Sequence, residues 1–179
     1  MVVFMYINKY SFIYKTFIFK KVYFKTNNED LKLIVDALNI KNNKKRINYI
    51  YDTCCDIIDN KYKNINICGF NCHKCLNNIE NGCCKNCMYQ SINGCPSKNL
   101  TCKLFYCSKV KEKYDVIKYE DLKLLKLFNL KQRYIIQIDY FAKREEVLKD
   151  LYSISFIYSF IRILIRQIKN IYLINKNKI

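Results

Sequence analysis

Tryptophan is absent from this chain of 179 residues, and glycine, proline and histidine occur only three times, once and once. A single histidine leaves little capacity for general-base catalysis, and no set of serine, histidine and aspartate suggests a nucleophilic triad. The carboxylates at Asp36, Asp52, Asp56 and Asp59 have the spacing of helix-surface residues. The sequence therefore leaves enzymatic activity undecided and favours a protein without catalytic machinery.

Long uncharged runs are also absent. No run reaches 18 residues, and the longest candidate, 151–161, ends at Arg162, so we expect no membrane-spanning helix. Lysines interrupt the apolar residues of the first 24 positions, and no small-residue cleavage site follows them, which is unlike a secretory signal peptide. Eleven cysteines is an odd number, whereas secreted disulfide scaffolds usually have an even number. These features predict a cytoplasmic protein with reduced thiols.

Acidic residues are few, 15 against 32 lysines and arginines, and the formal net charge is +17. Nucleic acid is the ordinary partner of such a charge. Lysine nevertheless outnumbers arginine 27 to 5, and nucleic-acid sites depend strongly on arginine. We interpret most of the charge as a solvated surface, and nucleic acid is a partner that the sequence does not favour. A zinc-knuckle site for nucleic acid would use Lys85, Lys98, Lys103, Lys109, Lys111 and Lys113 beside Tyr89, Phe105 and Tyr106.

Cysteine is abundant, and nine of the eleven copies fall between residues 68 and 107, together with every glycine, Pro96 and His73. Cysteine binds metal as the thiolate, and tight turns bring several thiolates to one ion. Two C-x2-C pairs, Cys72/Cys75 and Cys84/Cys87, have the spacing of metal knuckles. The stretch therefore predicts a turn-rich metal-binding module. Its candidate ligands are Cys68, Cys72, Cys75, Cys83, Cys84, Cys87, Cys95, Cys102 and Cys107.

The spacing leaves the metal open between zinc and iron. Nine thiols could fill two tetrahedral zinc sites, or could hold an iron–sulfur cluster together with a zinc ion. Closed all-cysteine sites offer no open coordination position, which favours a structural or storage role; an iron–sulfur redox or accessory protein is the alternative. The run Cys68-x3-Cys72-x2-Cys75 has the spacing of the radical S-adenosylmethionine cluster, but the alternating strands and helices of a partial barrel do not follow it. His73 is a weaker candidate ligand, because its neighbour Cys72 directs it away from the knuckle.

From Gly82 onward the sequence resembles a known family. The segments Gly82-Cys83-Cys84, Cys87-Met88-Tyr89, Asn93-Gly94-Cys95 and Cys102-Lys103-Leu104-Phe105 resemble motifs of the zinc- or iron-chelating cysteine-rich family, the YkgJ-like proteins. The resemblance covers residues 82–105 only. It implies that Cys84, Cys87, Cys95 and Cys102 are metal ligands, with Cys83 beside them.

The rest of the chain predicts a mainly α protein, a small helical bundle flanking the cysteine module. Residues 1–25 alternate loosely and predict a strand or a poorly defined N-terminal extension. Residues 26–179 predict a single domain with helices in 26–61, the module in 68–107 and helices in 115–174. Asn28 is a predicted N-cap. A second helix is predicted from the core-facing stripe Ile47, Ile50, Tyr51, Cys54 and Ile58, and we therefore interpret Cys54 and Cys55 as packing residues.

Beyond Cys107 the chain has no glycine and no proline, which predicts helix throughout. Three apolar stripes follow in order: Leu122, Leu125 and Phe128; then Tyr134, Ile138, Phe141 and Leu148; then Leu151, Ile154, Tyr158, Ile161, Ile165, Ile168 and Tyr172. The last stripe repeats every seven residues, as a helix-packing seam does. We expect it to pack inside the molecule. A homodimer through the C-terminal helix and an interfacial membrane helix are the alternatives.

Overall fold

The computed structural model describes residues 4–7, 10–13, 28–63, 70–71, 74–75, 87–89 and 99–176. This part of the chain is mainly helical, as predicted. Its helices are α1 (Glu29–Asn39), α2 (Asn43–Lys61), α3 (Leu100–Leu104), α4 (Ser108–Lys113), α5 (Leu130–Ile138), α6 (Arg144–Tyr152) and α7 (Phe156–Lys176). Two short 3-10 helices, Tyr119–Asp121 and Lys123–Leu127, precede α5.

In the described residues, four short strands form two antiparallel pairs. Strand β1 (Phe4–Ile7) pairs with β2 (Tyr10–Ile13), and β3 (Phe70–Asn71) pairs with β4 (Lys74–Cys75). The first pair lies in the N-terminal segment, where the alternation of apolar residues predicted a strand or a poorly defined extension. The remainder of residues 1–25 lies outside the described residues.

Helices α1 and α2 form where the sequence predicted them, because both begin at asparagine caps. The Asn28 side chain accepts a hydrogen bond from the Leu31 amide at 3.2 Å, and Asn42 accepts one from the Lys45 amide at 3.0 Å. The predicted stripe of α2 is buried along its whole length. The apolar periodicity therefore identified the core-facing side of α2 correctly.

The core lies between α2 and the helices that follow the cysteine-rich stretch. Ile50 and Tyr51 of α2 pack in one buried cluster with Leu100 of α3, Ile135 of α5 and Val147 of α6. Burying a large apolar side chain contributes about 1.5–3 kcal/mol, so this cluster accounts for much of the stability of the helical part. The Tyr51 hydroxyl, inside the cluster, accepts a hydrogen bond from the Leu100 amide at 3.0 Å.

The chain after Cys107 is mainly helical, as predicted, but helix does not extend throughout it. The segment with Leu122, Leu125 and Phe128 does bury those residues, but it winds into 3-10 turns, and the chain leaves helical geometry again at 139–143 and 153–155. Polar side chains, rather than glycine or proline, mark where these helices begin and end. The Glu146 carboxylate, for example, accepts a hydrogen bond from the Lys143 amide at 2.7 Å, which starts α6.

The second and third predicted stripes are only partly right, because Leu148 and Leu151 are buried but most of the other members are exposed. In α5 the buried residues are Gln132, Ile135 and Ile136, whereas the predicted Tyr134 is 43% exposed. In α7 the buried residues are Ser159, Ile163, Arg166 and Asn170, and the predicted seam from Tyr158 to Tyr172 faces outward. Among the helices described, none combines the length and apolar character needed to cross a bilayer.

Tyr51→Phe removes the acceptor of a buried amide without creating a cavity. We expect the free energy of unfolding to fall by about 1–3 kcal/mol, since the Leu100 amide is left without its partner in the core. Urea unfolding followed by far-UV circular dichroism measures the loss. Tyr172→Phe, at an exposed position of α7, is the matched control and should change stability little. Equal stability of the two variants would show that the hydroxyl is not needed.

Candidate metal centre

The nine candidate cysteines fall into three groups in the structure. Cys68, Cys72, Cys83, Cys84 and Cys95, with His73, lie outside the described residues. Cys75 is described by its backbone in β4, opposite Phe70. Cys87, Cys102 and Cys107 are described with their side chains, and each is partly buried. Most of the predicted metal centre therefore stays a prediction, whereas the described residues show how the cysteine-rich stretch contacts the helices.

The described elements on either side of residues 64–98 contact each other. Helix α2 and Lys63 come directly before this segment, and Asn99 and α3 come directly after it. The Lys103 ammonium of α3 forms an ion pair with Asp59 in the last turn of α2. The rings of Tyr62 and Tyr106 meet edge to face with centroids 6.0 Å apart. The part of the chain that follows the 64–98 segment thus packs along α2, from Tyr51 at Leu100 to Tyr62 at Tyr106.

A third attachment lies between these two ends. The amide of Met88, next to Cys87, donates a hydrogen bond to Asn170 Oδ1 of α7 at 2.7 Å. The hydroxyl of Tyr89 lies 3.5 Å from Glu146 Oε2 of α6. Burial and the nearby Glu146 raise the pKa of Tyr89. The second C-x2-C pair therefore ends directly beside a contact with α6 and α7.

Asn99 fixes the return of the chain. Its Nδ2 donates to the carbonyl oxygens of Asp139 and Ala142, both at 2.8 Å, in the turn between α5 and α6. Its Oδ1 accepts from the Cys102 amide at 2.8 Å and so caps α3. One buried side chain thus joins the end of the cysteine-rich stretch to the turn that follows α5.

Cys102 and Cys107 lie on this anchored part of the stretch. The Cys102 thiol donates to the Tyr140 carbonyl oxygen, with Sγ and O 3.1 Å apart. A thiolate at this position would face that oxygen without a proton between them, so the geometry fits a thiol better than a metal ligand. Cys107 is the N-cap residue of α4 and packs against the small cluster formed by Tyr106, Val110 and Val116.

Cys54 and Cys55 are packing residues, as the sequence predicted. Cys54 is fully buried in the main core, and Cys55 packs against it. Burial raises the pKa of both thiols, that of Cys55 to about 12. Both thiols are therefore held in the neutral form and pack as small apolar groups.

Behind these attachments lies a buried network of ion pairs that the sequence analysis did not find. Arg166 of α7 donates from Nε and Nη2 to the two carboxylate oxygens of Asp139, at 3.2 and 2.7 Å. The same guanidinium donates to Asp150 of α6 at 2.5 Å, and Arg162 donates from Nε to the other oxygen of Asp150 at 2.6 Å. Asp139 and Asp150 are no more than 1% exposed. The sequence did contain a signal for this network, because Asp139 and Arg166 are charged residues within isoleucine-rich runs.

Asp139 takes part both in the contacts of Asn99 and in the buried network of ion pairs. Its carbonyl oxygen accepts from Asn99 and its carboxylate accepts from Arg166, so it links the cysteine-rich stretch to α7. Burial raises the pKa of Asp139 to about 6, although the Arg166 charge opposes the shift.

No match to a family model, to a curated protein or to a solved structure is found for this chain. The resemblance of residues 82–105 to the chelating family therefore rests on the sequence motifs alone. Within the described ranges, no three or more histidine, cysteine or acidic side chains converge as a metal site would require.

Several residues predicted for a nucleic-acid site have other contacts. Lys103 pairs with Asp59, and the Lys113 ammonium lies 5.4 Å from the ring centroid of Tyr114. Tyr106 is buried against Tyr62, so its ring is not open for stacking on a base. Phe105 packs edge to face on Tyr140 but is 41% exposed.

Arg166→Met breaks the buried network and leaves two carboxylates in the core. We expect the free energy of unfolding to fall by about 3–5 kcal/mol, the usual cost of removing one partner of a buried pair. Arg144→Met is the matched control, since Arg144 pairs with Asp52 where both side chains are 43% exposed, and its loss should be about 1 kcal/mol or less. Urea titrations of both variants give the comparison, and similar losses would contradict a special role for Arg166.

The raised pKa of Asp139 predicts the sign of a pH dependence. The folded protein holds this proton more tightly than the unfolded chain between about pH 4 and 6, so the contribution of Asp139 to stability is largest below that window and decreases as the pH rises through it. The unfolding free energy of wild type minus that of Asp139→Asn should decrease by ~3 kcal/mol across the window. Urea titrations at half-unit pH steps measure it. A difference that increases with pH would contradict the assignment.

Proposed function

We propose that this protein binds zinc or iron through thiolates of its cysteine-rich stretch and has no catalytic chemistry of its own. The proposal rests on the density of cysteines and on the two C-x2-C pairs, Cys72/Cys75 and Cys84/Cys87. One structural observation adds to it, namely that α2, which precedes the 64–98 segment, and α3, which follows it, are bound directly to each other.

This contact between α2 and α3 matters because seven of the nine candidate ligands, Cys68 to Cys95, fall inside the 64–98 segment. A metal ion that gathers distant ligands must close the intervening loop, and the entropic cost rises with loop length. Here the Lys103–Asp59 ion pair and the bond from Leu100 to Tyr51 already hold the two flanking helices together. An ion therefore has to organise only the segment between them. A structural zinc ion contributes on the order of 10 kcal/mol, which is ample for that purpose.

The helical core has its own buried cluster and ion pairs, so it does not depend on the metal. We propose that the ion orders the cysteine-rich stretch and leaves the packing of α2 with α5, α6 and α7 unchanged. The resemblance to the chelating family adds a ligand set, Cys84, Cys87, Cys95 and Cys102. The hydrogen bond from the Cys102 thiol to Tyr140 argues against the last member. Cys95 and the cysteines before it are the ligands that we favour.

The test is elemental analysis and native mass spectrometry of protein purified without oxygen. We expect at least one equivalent of zinc, or iron with acid-labile sulfide and a brown colour. The variant Cys84→Ser/Cys87→Ser should lose about one equivalent, because two ligands of one tetrahedral site are gone. Cys55→Ser, which removes a thiol outside the stretch, is the matched control and should keep the full content. Cys102→Ser should also keep it.

Removing the metal with a chelator under reducing conditions separates the two parts of the molecule. Far-UV circular dichroism should stay nearly unchanged, while new protease cuts should appear between residues 64 and 98. Purified protein without metal, with every thiol open to alkylation, would overturn the proposal. If Cys102→Ser loses one metal equivalent, Cys102 is a ligand, and the favoured ligand set has to include it.

A further inference from the structure

Helix α7 packs on the protein with its polar side. Its buried stripe is Ser159, Ile163, Arg166 and Asn170, and the three polar members each make a bond to the rest of the molecule. The Ser159 hydroxyl donates to the Asp150 carbonyl oxygen at 3.1 Å, Arg166 binds Asp139 and Asp150, and Asn170 accepts from Met88. These bonds fix the rotation of α7 about its own axis. A rotation that buried its apolar side would break all of them.

The opposite side of α7 is apolar and exposed. We define the outer face of α7 as Ile157, Tyr158, Phe160, Ile161, Leu164, Ile165, Ile168, Ile171 and Tyr172, which are 41–71% exposed. At 3.6 residues per turn these positions cover an arc of about 160°, over a helix about 30 Å long. No charged residue lies among them. The exposed fractions correspond to an apolar area on the order of 1,000 Å², well above the few hundred Å² that a monomer normally exposes.

The charges around the outer face indicate what covers it. The exposed Lys169 and Lys176 lie along one border of the face, and α7 contains no acidic residue. Arg162, on the same side, lies 4.6 Å from the ring centroid of Tyr158. A second copy would bring another formal charge of +17 against this surface. An anionic bilayer would bury the apolar face and neutralise the lysines at the same time.

The width of the face agrees with a lipid surface. Helices that pair through a heptad seam bury a narrow stripe, whereas helices that lie in the membrane interface bury a broad apolar side with cations at its border. Tyrosine is favoured at the headgroup level, and Tyr158 lies at the border of the face beside Arg162. We propose that the outer face of α7 docks this protein on an anionic lipid surface, with the helix parallel to the bilayer.

The test is flotation of the full chain with lipid vesicles. At about 0.15 M salt the protein should bind vesicles containing about 30% phosphatidylserine on the order of tenfold more tightly than pure phosphatidylcholine vesicles. Ile168→Glu, at the centre of the face, and Ile165→Glu, nearer its lysine border, should each weaken binding by roughly tenfold or more. Leu130→Glu is the matched control, because Leu130 is 82% exposed on α5 and lies outside the face. Lys169→Glu should weaken binding to the anionic vesicles only.

Either of two kinds of result, from vesicle binding or from sedimentation, would overturn the proposal. One is an absence of binding to anionic vesicles, or binding that Ile165→Glu leaves unchanged while its circular dichroism matches wild type. The other is a stable dimer in sedimentation experiments without lipid that Ile165→Glu converts to monomer, which would make a second copy of this chain the occupant of the face.

Discussion

A buried guanidinium between two buried carboxylates determines the arrangement of the second half of this protein. Arginine stays charged under all ordinary conditions, so Arg166 can be buried only where acidic side chains pair with it. Asp139 ends α5 and Asp150 lies in α6, and their joint contact with Arg166 ties three helices to one point. The direction in which α7 presents its apolar residues is a consequence of that contact. The same contact holds Asp139 at the start of the α5–α6 turn. The carbonyl oxygens of this turn then bind Asn99, near the end of the cysteine-rich stretch.

The first two helices could be predicted because their signals are local. Asn28 and Asn42 each cap the helix that follows within three residues, and the stripe of α2 from Ile47 to Ile58 has helical spacing with polar residues between. The burial of Cys54 follows from its place in that stripe. Neither conclusion needs knowledge of any distant residue.

The later helices could not be predicted in the same way, because interactions between distant positions decide them. Arg166 is 27 residues from Asp139 and 16 from Asp150, so no window of helical periodicity reveals the network. The seven-residue repeat of α7 was real, but the polar contacts of Ser159, Arg166 and Asn170 turned it outward. For the candidate metal centre, cysteine spacing identifies possible ligands. It contains no information about Tyr51, Asn99 or Asn170, which fix where the stretch meets the core.

The direct contacts between α2 and the chain that follows residue 98 have a consequence for how this protein can change over time. A segment whose flanking elements are joined independently of its contents can grow or shrink without disturbing those elements. The Tyr62–Tyr106 and Lys103–Asp59 contacts give residues 64–98 this freedom, except at Met88 and Tyr89, which contact α7 and α6. Relatives of this chain can therefore be expected to keep the helical scaffold while their cysteine number and spacing diverge.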